Sequence, residues 1–118
     1  MTDVNSWTIA SYPSADWAKL VFPDETDTDI AQEKLLDAIL KTVRVDKDNP
    51  VKAWEEHRKN LNEKAEFLNS KNFVALHYTS KGTDLTVGLP KNHIWVAAGS
   101  VNAKGDDFLP NMPTEEVF

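Results

Sequence analysis

The chain has 118 residues, with 13 Lys and Arg against 19 Asp and Glu, a formal net charge of -6, and 41% hydrophobic and 27% charged residues. That composition suits one domain with a modest core, and its negative balance repels phosphate backbones and anionic lipid, so neither nucleic acid nor a membrane surface is an expected partner. No cysteine is present, which excludes disulfides, thiolate nucleophiles and Cys-based zinc sites and leaves carboxylate, imidazole and carbonyl groups as metal donors.

The start, Met1 to Ser6, is polar with no basic or apolar run, and no apolar stretch reaches membrane-spanning length. A cytoplasmic protein is expected, with residues 1–118 forming a single domain. Trp7, Ile9 and Ser11 alternate with Thr8, Ala10 and Tyr12 before Pro13, the pattern of a short strand. Ser14 is placed to cap a helix running to about Val21, with Asp16 in its first turn favoured by the helix dipole. Phe22 and Pro23 end it.

From Thr28 to about Val45, Ala31, Leu35, Leu36, Ile39, Leu40 and Val43 recur at steps of three and four, which predicts an amphipathic helix behind an acidic lead of Asp24, Glu25, Asp27 and Asp29. Asn49-Pro50 is a helix start, because Asn accepts an orphan N–H and proline at the first position loses no bond. Val51, Trp54, Leu61, Ala65 and Leu68 mark one face of the helix that follows, to near Asn72.

Beyond Asn72 the period changes. Phe73–Tyr78, Asp84–Leu89 and His93–Ser100 are short runs rich in β-branched and aromatic residues, separated by Ser80-Lys81-Gly82 and Pro90-Lys91-Asn92, and they read as three strands. The tail, Val101 to Phe118, carries a turn at Lys104-Gly105-Asp106 and then Pro110 and Pro113, and is expected to be extended and irregular. The fold class is α+β: one early strand, three helices, then about three mostly antiparallel strands and an extended tail.

Local chemical motifs are sparse. His57 follows Glu55 and Glu56 on a helix without a second histidine four residues on, so the zincin pattern is absent, and His57 reads as a surface or half-buried helix residue. His77 and His93 fall in or beside strands, where packed, hydrogen-bonded imidazoles are expected. Gly82, Gly88, Gly99 and Gly105 have no spacing that cradles a phosphate. Trp7, Trp17, Trp54 and Trp95 suit core boundaries, and the acid runs at Asp24–Asp29 and Asp106-Asp107 lack the spacing of an EF-hand loop. The segment Asn111-Met112-Pro113-Thr114-Glu115-Glu116-Val117-Phe118 stands out, because prolines stiffen an approach to adjacent carboxylates, and a metal ligand must be held without much loss of entropy.

Read in order, Gly82-Thr83-Asp84-Leu85-Thr86-Val87-Gly88-Leu89-Pro90, His93-Ile94-Trp95, Gly99-Ser100-Val101-Asn102-Ala103-Lys104-Gly105 and Asn111 to Phe118 resemble the aminopeptidase T/S (PepS) family of thermophilic metallopeptidases, M29. Trp7 to Pro13, Trp17-Ala18, Val21-Phe22-Pro23, Arg44-Val45-Asp46 and Pro50 to Trp54 extend the resemblance over essentially the whole chain. Family members are several times longer, so the resemblance implies an internal fragment that ends just after a first metal-ligand motif.

The resemblance further implies a mixed α/β parent that uses two divalent metal ions, cobalt, zinc or magnesium, to remove N-terminal residues from peptide substrates, and that forms a homodimer at full length. Adjacent cations can polarise a scissile carbonyl and lower the pKa of a bound water. Of the family's ligands only one maps here. The resemblance assigns it to Glu116 rather than Glu115, since glycine occupies the preceding position in some relatives. Pro113 and Thr114 would fix its direction, and Asp84 is explained equally by a turn-capping or buried role and by substrate contact. The isolated chain is expected to be inactive. The competing expectation is a non-catalytic structural, dimerisation or binding module.

Overall fold

A computed structural model describes residues 4–118; Met1 to Asp3, the first half of the polar start, lie outside the described residues. The element order is β1 (Ile9–Ala10), α1 (Ala15–Val21), α2 (Thr28–Thr42), α3 (Pro50–Lys71), β2 (Ala75–Ser80), β3 (Thr83–Gly88), β4 (Ser100–Val101), β5 (Asp107–Phe108) and β6 (Asn111–Met112). Among the described residues, three helices and three two-stranded sheets make the α+β class expected from the sequence. The chain divides into two compact units: residues up to 57 with 99–114, and residues 58–98 with 115–118.

In the first unit, helix starts follow the capping chemistry. Ser14 Oγ accepts the Trp17 N–H at 3.3 Å, and Asp27 Oδ1 accepts the N–H groups of Asp29 and Ile30 at 2.9 and 3.3 Å. Each satisfies donors that a first helical turn leaves without intrahelical partners. Ala18 on α1 and Ala31 and Leu35 on α2 form the buried core, with Phe22 and Ile39 packed against it. The alanines let the two helix backbones approach closely.

Helix α2 ends at Thr42, three residues before the expected Val45. Arg44 stands in the left-handed region at φ 60, while the Val45 N–H donates to Leu40 O at 2.9 Å. This is the backbone reversal that terminates helices, with arginine where glycine is usual. The α3 start is as expected: Asn49 Oδ1 accepts the Lys52 N–H at 3.0 Å, and Pro50 is the first helical residue.

The early strand is shorter than Trp7–Tyr12. Only Ile9 and Ala10 pair, in parallel with Asn111 and Met112 of β6. The tail is therefore not irregular throughout. A second small sheet pairs β4 with β5 around a turn organised by buried Asn102. Its Oδ1 accepts the N–H groups of Lys104 and Asp106, both at 2.9 Å, and its Nδ2 donates to Asp106 Oδ2 at 2.9 Å and Ser6 Oγ at 3.1 Å. One amide side chain thus takes over bonds that a longer ladder would make.

In the second unit, Leu61 and Ala65 on α3 are buried and the helix stops at Lys71, with Asn72 left-handed at φ 50. The antiparallel hairpin β2–β3 runs in register from Ala75↔Gly88 to Ser80↔Thr83, turning at Lys81-Gly82, where Gly82 takes φ 84. The strand expected over His93–Ser100 does not form; only Ser100 is in a strand. Its backbone groups find other partners. Asn69 accepts the Trp95 N–H at 2.8 Å and donates to Trp95 O at 2.9 Å, and Val96 exchanges two bonds with Phe118. β propensity yields when the Asn69 side chain and the Phe118 backbone supply the bonds first.

Replacing Asn102 by Ala removes four hydrogen bonds from a buried site, and a loss of about 2–3 kcal/mol is expected in chemical denaturation, against at most a few tenths for Ala at exposed Lys104. A second expectation concerns Glu25, whose carboxyl is held below the usual glutamate value first by the hydrogen bond from Lys34 and then by the Asp27 N–H. A carboxylate with a lowered folded pKa contributes stability above its unfolded pKa and loses it as pH falls through the folded one. Carboxyl-carbon NMR titration of the Lys34→Ala variant should show the Glu25 midpoint moving up toward the ordinary value.

Candidate functional site

The segment that carries the expected ligand leaves β6 at Met112, and Ile9 N–H donating to Pro110 O at 2.8 Å secures the strand that delivers it. Thr114 is buried, and its carbonyl lies 2.7 Å from His57 Nε2. The other ring nitrogen, Nδ1, faces Arg44 Nη2 at 3.2 Å. A guanidinium can only donate, so Nδ1 offers its lone pair and the proton sits on Nε2, from which it donates to Thr114 O. In this arrangement His57 bridges the Arg44 guanidinium and the Thr114 carbonyl.

The histidine is held in turn by Trp54. The two rings meet edge-on with centroids 5.6 Å apart, the Arg44 guanidinium lies 5.2 Å from the Trp54 ring, and the buried indole N–H donates to Val43 O at 2.7 Å. Stacking on the indole face offsets part of the conformational cost of a left-handed arginine. His57, expected to be a surface or half-buried helix residue, is half-buried. Its bond to a carbonyl 57 residues away had no local signal, and neither did the roles of Arg44 and Trp54.

Beyond Thr114, Glu115 and Glu116 are exposed. Glu116 Oε2 accepts the Glu115 N–H at 2.9 Å, so the carboxylate caps its own backbone. Among the described residues no group of three or more His, Cys, Asp or Glu side chains is placed to hold a metal ion. The donor set around Glu116 therefore does not by itself fit a metal centre, which needs several anionic or imidazole ligands converging on one point.

The remaining candidates have local partners. Asp84 neither caps a turn nor is buried; its Oδ1 lies 2.6 Å from His77 Nε2 across the β2–β3 hairpin, with both side chains largely exposed. His93 Nδ1 lies 3.0 Å from Pro90 O, and its ring meets Trp95 edge-on at 5.7 Å. In the acid run at Asp24–Asp29, Asp27 caps α2 and Glu25 accepts from Lys34. An apolar cleft of about 250 Å³ in the first unit is lined by Trp17, Leu35, Ala38, Ile39 and Pro113.

Residues 1–118 match the family model described as thermophilic metalloprotease (M29). Aminopeptidase PepS of Streptococcus thermophilus is 55% identical over 113 residues, covering 96% of this chain and 27% of its own length. Aminopeptidase AmpS of Bacillus subtilis is 50% identical over 117 residues, covering 99% of this chain and 28% of its own. Among solved structures, wild-type AmpT from Thermus thermophilus superposes with a TM-score of 0.86 at 38% identity, over 98% of this chain and 27% of that one. The chain thus spans little more than a quarter of the length of the relatives it matches, and on the match along its whole length it belongs to the thermophilic metalloprotease (M29) family.

Proposed function

We propose that this chain is part of a metal-dependent aminopeptidase that hydrolyses N-terminal residues from peptides, and that it supplies scaffold rather than a complete active site. The observation that carries the reading is the uninterrupted match to the M29 family, together with 55% and 50% identity to proteins named aminopeptidases. Among the described residues no helix is long and apolar enough to cross a membrane. A cytoplasmic location and a homodimer at full length belong to the same proposal.

The family description supports metal dependence; two divalent ions, cobalt, zinc or magnesium, are the proposed complement. In this reading Glu116 is one ligand, presented by a segment in which Thr114 is fixed by His57. The other ligands would come from polypeptide beyond these 118 residues, because one carboxylate cannot hold two ions. To serve, Glu116 must exchange the Glu115 N–H for the ion, a rotation of a single exposed side chain.

Two outcomes are expected. The 118-residue chain with added cobalt or zinc should release no chromophore from an aminoacyl-chromogen, whereas a polypeptide extended to the length of its relatives should; turnover by the short chain would overturn the division of labour, and an inactive extended protein would favour a binding or dimerisation module. In the extended enzyme, Glu116→Gln should lower activity on the order of 10²-fold and weaken bound metal, read by elemental analysis, with Glu115→Gln having a smaller effect. Equal metal content in the Glu116 variant and the parent would remove Glu116 from the ligand set.

A further inference from the structure

The β2–β3 hairpin has two unlike faces. Cross-strand partners Leu76↔Val87 and Tyr78↔Leu85 lie on one face, and His77, Thr79, Asp84 and Thr86 on the other. The apolar face is open: Tyr78 is 50% exposed, Leu85 51% and Val87 42%. All six residues of β3 are exposed. A two-stranded ribbon of this kind is marginal in water without a third strand or a covering layer.

Its edges are equally unprotected. The Leu89 N–H donates to Val74 O at 2.9 Å, and by the alternation of an antiparallel ladder the backbone groups of Ala75, His77 and Thr79 then point outward from β2. That strand has no proline, lysine or bulge, the devices by which exposed edges are normally kept from pairing.

We infer that this hairpin is a docking surface for polypeptide of the same enzyme lying outside these 118 residues, which covers Tyr78, Leu85 and Val87 and adds a strand at an open edge. The inference rests on the proposed aminopeptidase reading. Its occupant is argued from length: the relatives match over nearly all of this chain, yet almost three quarters of each lies outside the match.

The absence of cysteine permits a direct test. Leu85→Cys, Val87→Cys and, on the opposite face, Thr86→Cys are each reacted with a water-soluble maleimide. Labelling is read by mass spectrometry in the 118-residue chain and in a polypeptide extended to the length of its relatives. Labelling at positions 85 and 87 slowed at least about tenfold in the extended polypeptide, with position 86 slowed less, is the expected result. Positions 85 and 87 reacting in the extended polypeptide at the rate of the shorter chain overturn it. Slowing that depends only on protein concentration overturns it in favour of self-association. Protection of both thiols in an extended polypeptide without aminopeptidase activity would leave the surface standing and count against the function, whereas activity with both thiols open would do the reverse.

Discussion

The bond from the Trp54 indole N–H to the Val43 carbonyl, 2.7 Å long and buried, is the constraint on which the arrangement around His57 depends. A helix end leaves carbonyls without partners, and a buried one requires a donor from elsewhere. Trp54 supplies it from a different helix, and so ties the end of α2 to the start of α3. With the indole in place, Arg44 can hold its left-handed backbone against the ring and still reach His57 Nδ1. The tautomer that this leaves on His57 is the one that can donate to Thr114 O. Removal of the indole N–H would therefore be felt beyond one helix end, because every later bond in the series assumes the geometry of the earlier one.

Much of this fold is written locally. Ser14, Asp27 and Asn49 each sit one residue before a helix and accept the bonds that their side chains predict, since a cap needs only a short polar side chain two or three residues ahead of its donors. The hairpin was legible to within about two residues at each strand end, because runs rich in β-branched and aromatic residues and the turn between them are short-range signals; Ser80, expected in the turn, closes β2 instead. Where expectation and structure differ, the deciding partner is distant in sequence. Trp95 has good strand chemistry but gives its backbone bonds to the side chain of Asn69, 26 residues earlier. Ile9 finds its strand partner at Asn111, and no periodicity within either segment announces the pairing.

The candidate site shows the same division. Adjacent carboxylates behind a proline are visible in one sequence, and the family resemblance gave them a role. Their surroundings were not visible: the His57–Thr114 contact joins residues 57 apart, and the self-capping of Glu116 by the Glu115 N–H depends on how one exposed side chain is turned.

A ligand segment and a ligand site are different physical objects. Metal affinity comes from several charged groups converging at fixed distances, each paired with outer partners that hold its direction. The described residues provide the second kind of feature without the first: Thr114, immediately before the glutamates, is buried and hydrogen-bonded through a histidine of assigned tautomer, while Glu116 itself faces solvent with one backbone partner. A carboxylate presented alone keeps its hydration and its conformational freedom, so binding an ion would have to remove both for the return of one weak contact in high dielectric. The same carboxylate, brought against ligands already in place, gives up only its bond to the neighbouring N–H. In the proposed reading, the affinity of Glu116 for an ion would therefore be set by whatever other groups share that ion.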